Sequence, residues 1–419
     1  MASRVTSTPR KTMLVFSRQS VFPGTGGSEA YSFDFLRQAA AEGWKIQCVI
    51  THPQFAGGVP VYRVDPEVFR VMKVHLPGCV RVGHSFIRPS VWLKETGKAF
   101  LRKVFPGRFA PRSFRVAWSG RPADAEEQRL AAEWTARLQP DAVLANYCWM
   151  APCLTTPDAS RKPVRAVLTH DVMHKKAADF AAQGLADQSV YPGEAMEREL
   201  LARADVVLAI SDEDAAAFRQ LLPAAEIHTM LKAARLKQLK GRLPGNVKVG
   251  RCLFVGSAYV ANVQGLTWFL EQVWPQVRAA VPSAQLRVCG KVCEKIPNPP
   301  EGVELLGLCE DLEVEYAAAA AVVVPLLVGS GVKIKLVEAL AYGKACVTTT
   351  VGVQGLGFLT ASEVCVADAA AEFARELTQL LLDETRRVNL EDRAFAAAAE
   401  YLAPEKVYTP VLERLGRPA

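Results

Sequence analysis

The chain has 419 residues, 50% hydrophobic and 22% charged, a balance that suits a two-domain globular protein and excludes a disordered or low-complexity chain. No apolar run approaches the roughly 20 residues of a membrane-spanning helix, and Met13–Phe16, after the basic Met1–Lys11, is too short for a signal-peptide core, so a cytoplasmic location is expected. The net charge of +7 is uneven: residues 1–245 carry 34 Lys and Arg against 23 Asp and Glu, and residues 246–419 carry 16 against 20.

Short apolar runs rich in β-branched residues alternate with helical periodicity, which predicts βαβ units and parallel sheets. In the first half the strand candidates are Met13–Phe16, Lys45–Thr51, Ala142–Asn146, Val164–Thr169 and Val206–Ile210, with helices over Ser28–Glu42, Ala123–Leu138 and Gly193–Arg203. In the second half they are Cys252–Val255, Leu286–Cys289, Val303–Leu306, Ala321–Pro325, Ala345–Thr349 and Val364–Val366. Gly241, Pro244, Gly245 and Gly250 interrupt both periodicities, so Lys237–Gly250 reads as a linker. The expected fold is α/β, with two Rossmann-like doubly wound domains, 1–240 and 241–403, facing across a cleft, and a terminal helix in 404–419 packing back on the first domain. Ligands of such sheets lie beyond the carboxyl ends of the strands, so the site should draw on both halves.

Residues 60–122 hold 13 basic against 3 acidic residues, interleaved with Trp92, Phe100, Phe105, Phe109, Phe114 and Trp118. Such a surface could meet an anionic membrane or a lipid-linked diphosphate, giving a peripheral position at the inner face of the membrane; the alternative is a solvated face with its aromatics turned to the core. No nucleic-acid recognition motif is found, and no nucleic-acid partner is expected. The ten cysteines are scattered, and Cys48, Cys252, Cys289 and Cys346 sit inside apolar stretches. They read as small buried hydrophobes; Cys289/Cys293 and Cys148/Cys153 lack a second ligand pair, so neither a metal site nor a disulfide framework is expected.

The most informative segment follows the strand Val322–Pro325. Val328, Gly329, Ser330, Gly331 and Val332 form a glycine-bearing turn, and a helix runs from about Lys333 to Tyr342. Glycines let the backbone approach a ligand closely, and free N–H groups at a helix start bind phosphate oxygens. Lys333 and Lys335 add positive charge where the helix dipole alone would favour acids, which points to an anion completing the site. Glu338, three residues beyond Lys335, could accept two hydrogen bonds from a ribose diol or simply pair with Lys335.

Residues 329–355, GSGVKIKLVEALAYGKACVTTTVGVQG, resemble the donor-binding signature of family 4 retaining glycosyltransferases (glycosyl transferases group 1) with the GT-B fold. Leu253–Pro275 and Gly302–Leu312 are similar to other donor-site segments of that family, and three first-half loops resemble it more thinly. The resemblance implies metal-independent transfer of a sugar from a nucleoside diphosphate sugar, a substrate rather than a cofactor, to a hydroxyl of a glycan or lipid-linked acceptor, with retention of anomeric configuration, as in cell-surface polysaccharide assembly. It further implies catalytic or sugar-positioning roles for His170, Lys335 and Glu338. The donor-binding residues it implies are Gly26, Gly27, Gly256, Ser257, Gly307, Gly329, Ser330, Gly331, Val332, Lys333, Lys335 and Glu338.

Two departures stand out. Where many members have an Arg and a Lys on the diphosphate, this chain has Ser257 and Asn262, and the first of two family glutamates falls on Ser330. The competing readings are a degenerate GT-B protein that binds glycan or supports a partner enzyme, and an inverting transferase or epimerase with Asp171 as base. Ser211, after the strand ending at Ile210, could instead be a helix cap.

Overall fold

The computed structural model describes residues 11–22, 27–51, 61–89, 120–156, 162–182, 192–234, 247–329 and 331–417. Sixteen described strands run in chain order: β1 (Thr12–Ser17), β2 (Lys45–Ile50), β3 (Val61–Arg63), β4 (Met72–His75), β5 (Val80–Val82), β6 (Ser85–Ile87), β7 (Ala142–Asn146), β8 (Val164–Leu168), β9 (Val206–Ala209), β10 (Glu226–Thr229), β11 (Arg251–Val255), β12 (Gln285–Cys289), β13 (Val303–Gly307), β14 (Ala321–Val324), β15 (Cys346–Thr348) and β16 (Cys365–Val366).

The first lobe holds a parallel sheet in the order β10-β9-β8-β7-β1-β2-β4. Its central strands are buried along almost their whole length, as helices on both faces require. Those helices begin where local chemistry satisfies their free N–H groups: Asp124 and Glu127 form a reciprocal capping box before Ala125–Leu138, and Ser211 Oγ accepts from Asp214 N at 3.0 Å before Asp212–Leu221. Ser211 is therefore a helix cap. The second lobe repeats the plan with a parallel sheet in the order β13-β12-β11-β14-β15-β16. Its core gathers Phe254, Phe269, Trp274 and Phe373, and Trp274 Nε1 donates to the Glu301 carbonyl at 3.0 Å, so the buried indole N–H is satisfied.

The predicted strands all appear, with ends within one to two residues. The sequence pattern missed β4 and β10, the two edges of the first sheet; an edge strand has one neighbour, so its sequence (MKVH, EIHT) carries less of an apolar signature. It also missed the small antiparallel sheet β3-β6-β5. The helix Pro404–Leu415 packs on the first-lobe helix Gly27–Ala41 through Tyr408, whose ring lies 5.6 Å from that of Phe35 and whose hydroxyl accepts from Ala233 N. Arg414 adds a two-pronged ion pair with Glu226. Residues 237–246 of the linker, the aromatics from Trp92 to Trp118, Gly26 and Ser330 lie outside the described residues. The ten cysteines are free; Cys79, Cys293 and Cys309 are only half-buried, and Cys309 Sγ lies 3.1 Å from Cys289 Sγ.

Candidate functional site

The carboxyl ends of β11, β13 and β14 in the second lobe and of β1, β7 and β8 in the first bound the site. After β14 the chain turns through Gly329 (φ 129°) and Gly331 (φ 67°), conformations that only glycine adopts readily. The helix Ile334–Ala341 follows, and no side chain caps its N-terminus. The helix starts one residue later than expected because Lys333 is extended, as the cap position requires. Lys333 Nζ folds back to donate to the carbonyls of Gly331 (2.5 Å) and Gly329 (3.4 Å), tying the glycine turn into one piece. Val332 is buried beneath that turn, and a Cβ on Gly355 would come within 2.7 Å of its Cγ2, so the second glycine-bearing loop packs against the first.

Lys335 points a different way. Its ammonium donates to Asn262 Oδ1 and lies 4.8 Å from the centre of the Phe254 ring. Asn262 Nδ2 in turn donates to the carbonyl and Oγ of Ser257, both at 3.1 Å. Ser257 and Asn262, which stand where the resembled family has an Arg and a Lys, thus meet Lys335 in one polar cluster. Burial, then the neighbouring Lys333, pulls the Lys335 ammonium down to about 7. Its hydrogen bond runs to Asn262 and not to Glu338, so the simple intrahelical Lys335–Glu338 pairing gives way to a contact between distant segments.

Gly256 follows β11 and donates from its N–H to the Cys289 carbonyl at 2.9 Å; Gly307 ends β13 and receives the Gly290 N–H at 2.6 Å. Sequence reasoning passed over Gly290. Its signal was present as a glycine directly after a predicted strand, but its role needs the neighbouring strands.

Where the lobes meet, a Cβ on Gly27 would lie 2.7 Å from Ile334 Cδ1, and a Cβ on Gly331 would lie 3.2 Å from Asp171 Oδ1. Glycine at both positions lets the first lobe approach the donor-side helix. Asp171 also receives Lys176 Nζ at 2.7 Å, so the candidate base of an inverting mechanism is held by a cation. Nearby Asp214 is buried, its Oδ2 lacks a hydrogen-bond partner among the described residues, and burial followed by repulsion from Asp171 and Glu213 raises its carboxyl to about 7, against the pull of Lys333 and Lys175. A carboxyl whose pKa is raised on folding, here from 3.8, removes stability as pH climbs through that interval. Asp214→Asn should therefore raise the melting temperature more at pH 8 than at pH 4.5; equal shifts at both would mean that Asp214 ionises freely in the fold.

His170 lies just past β8 and is buried between the rings of Tyr147 (4.1 Å) and Tyr31 (5.5 Å). Its Nε2 is 2.8 Å from Asn146 Oδ1, and burial lowers its pKa to about 3, so the ring is neutral. Tyr147 holds φ 73° and stacks on Trp149 at 4.2 Å; a non-glycine residue in that region is strained, and such strain gathers at functional sites. Asn146 and Tyr147 were not foreseen, although both stand at the carboxyl end of a predicted strand.

Glu338 faces the lobe boundary. The Tyr316 hydroxyl donates to its Oε2 at 3.5 Å, and burial holds the carboxyl above its ordinary range against the pull of Lys232, which pairs with Asp34. Among the described residues no group of three or more His, Cys, Asp or Glu side chains is placed to hold a metal ion. No described helix is long and apolar enough to cross a membrane.

Residues 250–383 match the family model described as glycosyl transferases group 1, a span that contains the whole second-lobe part of the site. The two facing parallel-sheet lobes are the GT-B architecture. Over 97% of this chain and 98% of the other, the fold is similar to sucrose-phosphate synthase from Thermosynechococcus elongatus, with a TM-score of 0.65 and 15% identity. It is also similar to Anabaena HepE in complex with UDP-glucose (97% and 99% covered, TM-score 0.63, 14% identity) and to WaaG, a glycosyltransferase involved in lipopolysaccharide biosynthesis (96% and 99%, 0.53, 13%). A curated relative, an uncharacterized 44.6 kDa protein in the cps region of Klebsiella pneumoniae, is 24% identical over 173 residues, 38% of this chain; the match spans under half of that relative, 45%.

Proposed function

We propose that this protein is a glycosyltransferase that moves a sugar from a nucleoside diphosphate sugar to a hydroxyl of a glycan or lipid-linked acceptor, with retention at the anomeric carbon. The observation that carries the proposal is the juxtaposition of an uncapped helix N-terminus, a doubly glycine turn and the half-buried Lys335 at the strand ends of the lobe that matches the group 1 model. That is a site for a diphosphate. In this reading Lys335, the amides of the Gly329–Val332 turn and the Gly256–Ser257 loop hold the diphosphate. Gly307 borders the base, Glu338 takes the ribose diol, and His170 with the loop at Gly26 and Gly27 holds the transferred sugar. Lys333 keeps the turn in shape.

In the reaction the bond from the anomeric carbon to the diphosphate oxygen breaks and the bond to the acceptor oxygen forms. The acceptor proton passes to the departing phosphate oxygen. Charge accumulates on the diphosphate, so most of the rate should come from preorganised donors and cations already aimed there. The acceptor, the metal independence and a place in polysaccharide assembly at the inner membrane face belong to the same proposal, the last supported by the involvement of WaaG in lipopolysaccharide biosynthesis and by the cps-region location of the curated relative.

The test is calorimetric titration of UDP-, GDP-, ADP- and CMP-sugars into the protein, then an NMR assignment of the anomeric configuration of any product. Binding of one nucleotide class and a retained product support the reading; binding by none of the four removes it in favour of glycan binding without turnover.

The Lys335 ammonium supplies a second signature. With its pKa near 7 in the free protein, binding an anion must restore the proton. Affinity should be highest below pH 7 and weaken about tenfold per pH unit above it, with uptake of one proton on binding. Titrations in buffers of different ionisation enthalpy count that proton; a flat profile from pH 6.5 to 8.5 contradicts a contact between Lys335 and the diphosphate.

A further inference from the structure

His170 is the last link in a chain of hydrogen bonds whose directions follow from one fixed end. The Gln19 carbonyl can only accept, so the Ser17 hydroxyl, 2.8 Å away, donates to it. With its proton committed, Ser17 Oγ accepts the Gln19 N–H at 3.1 Å and Asn146 Nδ2 at 3.0 Å. That orients the amide: Asn146 Oδ1 must face the other way, toward Ser32 Oγ at 3.3 Å and His170 Nε2 at 2.8 Å. The reversed amide would need the Ser17 proton that the Gln19 carbonyl already holds. A carbonyl oxygen facing Nε2 requires the imidazole proton there. A neutral imidazole has only one proton, so Nδ1 bears a lone pair. Nδ1 is buried and meets no hydrogen-bond partner among the described residues, and a buried acceptor left unpaired is costly unless something fills it.

The chain spans three strands of the first sheet: Ser17 ends β1, Asn146 ends β7, and His170 lies two residues past the end of β8. These strands are neighbours in the parallel register, so their carboxyl ends come together at the cleft side. Above them, a Cβ on Gly331 of the second lobe would lie 3.4 Å from the His170 carbonyl, which places the His170 backbone against the glycine turn.

We propose that Asn146, oriented by Ser17, is a positioning residue that fixes His170 in the Nε2–H tautomer, so that Nδ1 accepts a hydrogen bond from a hydroxyl of the transferred sugar and the site selects a neutral hydroxylated sugar over a uronic acid. The selectivity has a direct cause. A hydroxyl brings a proton to the lone pair, whereas a carboxylate brings a second set of lone pairs and a charge into a buried place. This inference rests on the proposed sugar-transfer reading for its ligand, but the tautomer is a property of the protein alone.

Long-range proton–nitrogen NMR correlations on the full chain labelled with nitrogen-15 at histidine, with His170→Gln as the assignment control, show which ring nitrogen carries the proton. The expected result is a protonated Nε2 and a bare Nδ1 in the wild type, a mixture of tautomers in Asn146→Ala, and the wild-type pattern in Asn146→Asp, which keeps an acceptor oxygen. A proton on Nδ1 in the wild type, or an unchanged pattern in Asn146→Ala with its fold verified by thermal unfolding, overturns the positioning role. With the donor class identified, Asn146→Ala should lower kcat/KM by about 10- to 100-fold, as loss of a group that orients an imidazole typically does, and Asn146→Asp should recover most of it. The nucleoside diphosphate hexose should bind at least tenfold more tightly than its uronic acid counterpart; equal affinity overturns the selectivity. Failure of every nucleotide sugar to bind would remove the transferase reading and this selectivity, and leave the tautomer result standing.

Discussion

Lys335→Ala is expected to remove measurable binding of the nucleotide sugar and to lower kcat/KM by about 10²- to 10³-fold or more, the cost of deleting one preorganised donor to developing charge. The ammonium is desolvated, and the hydrogen-bond partner the structure gives it is the neutral Asn262 amide. Its charge therefore lacks the bonded carboxylate that most buried lysines need, and an arriving diphosphate would supply the compensation. A residue that serves a ligand in this way burdens the empty fold. Its pKa falls from 10.5 to about 7 on folding, so the penalty for the charged form is fully present below pH 7 and fades as pH rises toward 10.5. Lys335→Met, which keeps the apolar stem against Phe254, should consequently raise the melting temperature more at pH 6 than at pH 10 while losing donor binding. The opposed signs separate a ligand-binding lysine from a structural one. If Lys335→Met binds the donor as well as the wild type does, the diphosphate lies elsewhere.

Gly290→Ala should be among the most damaging substitutions in the second lobe, lowering stability by about 3 kcal/mol or more and the melting temperature by roughly 6–12 °C. Two costs combine. Gly290 holds φ 101° and ψ 179°, a region open essentially to glycine alone. A Cβ there would also stand 2.2 Å from the Gly256 carbonyl oxygen and 3.0 Å from its carbon, both backbone atoms that cannot swing aside. That carbonyl accepts the Val292 N–H, and the Gly290 N–H is given to Gly307. The substitution thus pries apart the ends of three adjacent strands, and with them Gly256 and Gly307, the residues proposed to border the diphosphate and the base. Donor affinity should fall with stability. Gly43→Ala is the matched control, since Gly43 holds φ 89° with nothing within 4 Å of a Cβ. It should cost only the strain, about 1–2 kcal/mol. Equal losses in the two variants would show that the strand-end junction yields to a methyl group.

The second-lobe site was readable because its chemistry is contiguous: a strand, a glycine turn, two lysines and a glutamate lie within residues 322–338. The first-lobe part was readable at Gly27, His170 and Asp171, which follow or flank the ends of apolar runs. Asn146 and Ser17 gave no warning. Asn146 is 24 residues from the histidine it orients, and Ser17 is 129 residues from Asn146. What joins them is the pairing of β7 between β1 and β8, and parallel pairing is set by the whole sheet.

Periodicity, glycine freedom and charge act within a few residues of where they are written, so the alternation of strand and helix, hence the two parallel sheets, and the glycine- and lysine-bearing turn at Gly329–Lys335 are legible along the chain. The tertiary structure decided which way each lysine points, with Lys333 closing the turn and Lys335 meeting Asn262 and Ser257. It also decided which nitrogen of His170 has no hydrogen-bond partner among the described residues and which glycine binds three strand ends together. Those are consequences of desolvation and of contacts between residues far apart in the chain, and they come into being only when the sheets assemble and the lobes meet.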